Sequence, residues 1–167
     1  MAGQGDHLRV VYRYFPLAMH PWARPAAEAA ACAQEQGDVH FWKVHDYLFA
    51  HQRELSRDNL KERVAGYVRT LSNFDNARFT ACLDERRMAK KVEQDVTFGA
   101  ENGIRATPTV FVNGRQTQVV SAEQLRTLVR ELSSDPDAAI PASATSRAAA
   151  VAADGVGAAC TPPARSR

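Results

Sequence analysis

No Cys-x-x-Cys pair occurs anywhere in the 167 residues, and the three cysteines, Cys32, Cys82 and Cys160, stand far apart. That spacing excludes a zinc ribbon and a compact disulfide scaffold, leaving at most one internal disulfide and one spare thiol. Every apolar run is too short to cross a bilayer, so no membrane span is expected. The opening residues, MAGQGDHLR, lack the charged, apolar and small-residue order of a secretion signal, so as written the product is expected in the cytoplasm. An excess of one charge is missing too: 21 basic and 19 acidic residues give a formal charge of +2. The signs are mixed, as in Asp84-Glu85-Arg86-Arg87, which provides no stripe for a phosphate backbone and argues against nucleic acid. His40, His45 and His51 are five and six residues apart, which puts no i, i+4 pair on one helix face, so no metal site is expected. Phe41-Trp42 reads as core and rim, and no cofactor is expected.

What is present centres on Ala106 to Val120, ATPTVFVNGRQTQVV. A Thr-Pro step opens a β-branched run, Asn113-Gly114 supplies the left-handed backbone of a type I′ turn, and a second strand follows. Ser121 and Gln124 stand at capping-box spacing ahead of Leu125, Leu128, Val129 and Leu132, which predicts a helix packed back on the hairpin. Pro108 is the sharpest single candidate. X-Pro bonds become cis at modest cost, and a cis proline before a strand leaves the preceding backbone open for pairing. The strand, the Asn-Gly turn and the capped helix that follow favour cis over an ordinary trans proline, with Thr107 placed to pair with an extended peptide.

Upstream, Leu8 to Phe15 is rich in β-branched and aromatic residues, is stopped by Pro16, and reads as a strand. An alanine-rich helix is expected from His20-Pro21 to Gly37, with Gly37 as a left-handed cap. A second helix spans His40 to Gln52, and a third follows Ser56 as N-cap, with Leu60, Val64, Tyr67, Val68 and Leu71 buried. A short helix over Asp75 to Leu83 and a longer one from Met88 to Asn102-Gly103 complete the set. Beyond Leu132 the composition turns to Ala, Pro and Ser without aromatics, which cannot offset its ordering entropy. The expected division is a domain over 1–133, with helices across about 20–103, and a disordered tail over 134–167. Cys160 lies in that tail as an exposed, unperturbed thiol.

The segments YRYFPLAMHPWARPAAEAAACAQEQG, FWKVHDYLFAHQRELS, FTACLDERR and IRATPTVFVNG resemble, in order and spacing, the DsbA-like thioredoxin-fold oxidoreductases with a large helical insertion. The likeness runs from about Leu8 to Leu132. It implies an α/β thioredoxin-like fold with a multi-helix insertion, incomplete here because the first strand and the Cys-x-x-Cys helix that follows it are absent. It also implies that Thr107 and Pro108 form the substrate-facing loop. No catalytic cysteine carries over: Cys32 and Cys82 each read as mid-helix, away from the amide-rich N-terminus that depresses a thiol pKa. Each is either a small buried hydrophobe or, as similar insertions in the family imply, half of a structural disulfide.

The absent strand would be central in the family sheet, and its loss would leave unpaired backbone on both sides. Three outcomes fit: a start codon placed too far downstream, a degenerate remnant, or a partner chain that donates the strand. With an upstream start, the family implies a periplasmic or envelope location. The expected role is a thiol-disulfide oxidoreductase domain, redox-inactive as this isolated chain, acting on an extended peptide or a protein thiol or disulfide. A non-catalytic, chaperone-like peptide binder is the alternative, and a glutathione-using isomerase or transferase is a weaker one.

Overall fold

The computed structural model describes residues 9–117 and 121–134. Within them six helices and one hairpin follow in the order α1 (Ala23–Gln34), α2 (Asp38–Ala50), α3 (Leu60–Val68), α4 (Asn76–Asp84), α5 (Ala89–Glu101), β1 (Val110–Val112), β2 (Arg115–Thr117) and α6 (Ala122–Ser134).

The first helix is the axis of the helical body. Ala29, Ala30, Ala31, Cys32 and Ala33 are all buried, so α1 is enclosed on several sides and packs against α2, α3, α4 and α5. Side chains this small let neighbouring helices approach closely, and the volume is filled from the other side by Phe41, Val44, Val64, Val68, Phe79 and Val92. The helix begins at Ala23, after a turn closed by the Ala23 N–H donating to the His20 carbonyl at 2.9 Å. Gly37 does adopt a left-handed φ of 117°, yet it serves α2 as much as α1: its carbonyl accepts from His40 and Phe41 as the next helix starts.

The other helix starts follow local chemistry. Ser56 and Asn59 exchange reciprocal bonds, the Ser56 N–H to Asn59 Oδ1 at 2.8 Å and the Asn59 N–H to Ser56 Oγ at 3.2 Å, and α3 grows from that turn. Asp75 caps α4 by accepting from the Arg78 N–H at 2.9 Å. The Gln36 amide holds the main chain of Asp75 from both sides, accepting from its N–H at 2.8 Å and donating to its carbonyl at 3.0 Å. At α6, the Ser121 N–H donates to Gln124 Oε1 and the Gln124 N–H donates to Ser121 Oγ, which is the expected capping box.

The sheet among the described residues is the antiparallel pair β1 and β2, in register Val110 with Thr117, Phe111 with Gln116 and Val112 with Arg115. Asn113 (φ 48°) and Gly114 (φ 77°) form a two-residue turn with both φ positive, the type I′ geometry that matches the twist of the strands. The expected strand over Leu8 to Phe15 is corrected by the structure: Arg9–Phe15 carries no strand assignment, and Leu8 lies outside the described residues. β-branched and aromatic content describes a residue's fit to a pleated surface, and a strand exists only where a neighbour completes its ladder. The segment is instead held by side chains. Tyr12 meets Phe41, Trp42 and His45 edge-on, while Arg13 lies over Phe98 of α5. Phe15 packs so tightly on α5 that a Cβ at Gly99 would lie 2.6 Å from its ring. The expected second hairpin strand runs past Thr117 into residues 118–120, outside the described set, as do the tail from 135 onward and Cys160. Leu125 is half-buried on α6; the side chains of Leu128, Val129 and Leu132, which complete the predicted stripe, also lie outside the described set.

Candidate functional site

The C-terminus of α5 fixes where the candidate loop begins. The Gly103 N–H donates to the Ala100 carbonyl at 3.0 Å and the Ile104 N–H to the Gly99 carbonyl at 2.9 Å, a Schellman closure that requires the positive φ of Gly103, 75°. Chain direction is therefore set before Arg105. Arg105, Ala106, Thr107 and Pro108 are all exposed, and the Thr107-Pro108 bond is cis. The Thr109 hydroxyl then donates to the Ala106 carbonyl at 2.6 Å, which closes the loop onto the first residues of the hairpin.

Between these two anchors the main-chain N–H groups of Arg105, Ala106 and Thr107 make no hydrogen bond among the described residues. Three successive exposed donors are thus held at one end by a helix cap and at the other by a hairpin. Phe111 on β1 is 48% exposed and adds apolar surface near these donors in sequence. Thr107 and Pro108 thus lie together in the loop, as neighbours on an accessible backbone.

The two cysteines lie elsewhere. Cys32 on α1 and Cys82 on α4 are bonded, with S–S 1.97 Å and Cα atoms 5.9 Å apart, and both are essentially without solvent access. The pair is a buried cross-link between two helices, away from solvent. The three histidines of α2 are dispersed: His40 is buried edge-on against Phe74, His45 sits by Asp46 among Tyr12, Trp42 and Phe49, and the His51 Nδ1 lies 2.9 Å from the Tyr47 carbonyl. Among the described residues no group of three or more metal-ligating side chains assembles, and no helix is long and apolar enough to cross a membrane.

Burial raises the pKa of the Tyr12 phenol above its ordinary value. Arg86 is held still more firmly protonated by its hydrogen bond and charge contact with Glu28.

A proline loop leading into a tight hairpin and a capped helix, joined to a helical body, defines a thioredoxin-like domain. The chain belongs to the thioredoxin family, whose model matches residues 2–131. It is 42% identical over 111 residues to the Na(+)/H(+) antiporter NhaA 1 of Salinispora arenicola, an alignment covering 66% of this chain and 16% of that protein. It is 44% identical over 110 residues to NhaA 3 of Salinispora tropica, covering 65% and 16%, and 39% identical over 112 residues to NhaA of Herminiimonas arsenicoxydans, covering 67% and 17%. The chain thus spans about a sixth of the length of the curated relatives it matches. No solved structure matches it.

Two kinds of residue escaped the sequence. Arg105 reads as one more surface cation until its neighbours' free N–H groups are seen. Asp95 and Glu28, singled out by no sequence motif above, are both buried. For Glu28 a signal was available, a lone carboxylate inside an otherwise alanine-filled helix.

Proposed function

We propose that this chain is the peptide-gripping part of a DsbA-like thioredoxin domain, one that holds an extended peptide along Arg105 to Thr107 without passing electrons through Cys32 and Cys82. The observation that carries this is the contrast between an exposed loop with free main-chain donors and a cysteine pair sealed inside the helical body. The family supplies the role of the Thr107-Pro108 loop, and the absence of a Cys-x-x-Cys anywhere in the chain argues against dithiol exchange. A buried disulfide fits an oxidising compartment, which favours the envelope side of a membrane over the cytoplasm. In an insulin-reduction assay driven by dithiothreitol, the chain is expected to leave the rate at the uncatalysed value. Clear acceleration would overturn the non-exchanging role.

A second role is favoured by the relatives: an accessory domain attached to, or docked on, a sodium-proton antiporter. Adding the purified chain to vesicles that carry such an antiporter without its matching segment would then change the rate of ion exchange.

A further inference from the structure

We infer that Arg105 is a specificity-determining residue that selects peptides carrying an Asp or Glu beside the position paired with Thr107. The inference rests on the peptide-gripping role proposed above and names the chemistry of what is gripped.

Arg105 is exposed and makes no ion pair among the described residues. Arg13, Arg24, Arg63 and Arg86 are taken up by Asp95, Glu93, Glu54 and Glu28, whereas Arg9, Arg53, Arg57 and Arg69 share with Arg105 the lack of an ion pair among the described residues and differ from it in standing far from Thr107 in sequence. What sets Arg105 apart is its position. Arg105 stands one residue beyond the Schellman closure of α5 and two before Thr107, so its Cα is at most roughly 7 Å from that of Thr107. The guanidinium extends over a similar length. A carboxylate on a peptide seated along the loop falls within that reach, and the free N–H groups of Arg105, Ala106 and Thr107 add donors of the same polarity. Cation and amides all favour negative charge, and residues 102–117 contain no carboxylate, the preceding one being Glu101 at the end of α5.

The chemistry is that of a charge at the rim of a contact, which changes partner choice and encounter rate more than total affinity. A guanidinium-carboxylate pair in an exposed setting corresponds to an affinity difference of about 2- to 5-fold, erased by salt.

The test uses the full chain and three fluorescein-labelled hexapeptides of the sequence Thr-Val-X-Val-Thr-Val, where X is Glu, Gln or Lys, followed by fluorescence anisotropy. Expected is the affinity order Glu, then Gln, then Lys at low salt, collapsing to near equality at high salt. Arg105→Gln should flatten the order and Arg105→Glu should invert it, each with an unchanged circular dichroism spectrum. Equal binding of the three peptides by the unaltered chain would overturn the inference while leaving the gripping role intact. Binding of none of them would overturn both. The salt arm needs no substitution, so the outcome does not depend on any variant folding.

Discussion

The buried carboxylate of Asp95 accepts the main-chain N–H of Tyr14 at 3.2 Å, across 81 positions of sequence. Its second oxygen accepts from the Arg13 guanidinium at 2.8 Å. A β-ladder would ordinarily satisfy a backbone donor in such a segment, and here a helix side chain does so. Asp95 is only 3% exposed, so the charge is compensated by these partners rather than by water.

Asp95→Ala should therefore cost about 3 kcal/mol, because it strands the Tyr14 N–H and leaves Arg13 without its partner in a partly buried place. Asp95→Asn keeps an acceptor for Tyr14 and should cost less than half as much. Urea denaturation checks both, and equal effects of the two substitutions would contradict the role given to the Tyr14 bond.

Thiol counting under denaturing, non-reducing conditions should find one free thiol, Cys160, and three after reduction. The cross-link closes a loop of 50 residues between α1 and α4. By chain-entropy reasoning it contributes about 4 kcal/mol, so the Cys32→Ala, Cys82→Ala double variant should lose stability on that scale. Three free thiols in the aerobically purified protein would remove this contribution from the account.

Glu28 is 6% exposed and receives two bonds from Arg86, at 2.8 and 3.2 Å. Arg86→Ala removes the partner of that carboxylate, at a cost of about 1 kcal/mol because the Arg86 side chain is itself largely exposed. Adding Glu28→Gln to the same chain should recover part of the loss, and a double-mutant cycle reads the coupling directly. Strict additivity of the two would contradict it.

Alkaline pH should weaken the fold through Tyr12. Burial raises its phenol pKa above the ordinary 10.0, so the unfolded chain releases this proton at lower pH than the folded one does. The stabilising contribution is complete below pH 10.0 and is lost as pH rises through the folded value. Tyr12→Phe should flatten the fall in stability above that pH while retaining the ring contacts with Phe41 and Trp42. Tyr67 shifts in the same direction, from burial and from Asp46 and Tyr47, and accounts for a residual slope. An unchanged alkaline limb in Tyr12→Phe would contradict the assignment.

Much of the helical body was legible because its signals are local. Ser56, Asp75 and the Ser121-Gln124 box start helices by bonds within four residues, and Asn113-Gly114 sets the hairpin register by its own backbone preferences. The segment Arg9–Phe15 was misread because strand formation depends on a neighbour, which no residue within the segment encodes. Asp95 was illegible for a related reason. Helical periodicity places a charge on a face, but whether that face meets water or a guanidinium is decided by another part of the chain. At the candidate loop, the Thr-Pro step was visible from the start, whereas the free amides around it emerge only once the cap of α5 and the Thr109 bond are drawn.

Amide hydrogen exchange resolved at Arg105, Ala106 and Thr107, with and without the glutamate-containing hexapeptide, tests the gripping role most directly. Slowed exchange at these amides on peptide addition, with the core of α1 unchanged, is the predicted result. Protection confined to another surface, or none at saturating peptide, would contradict it.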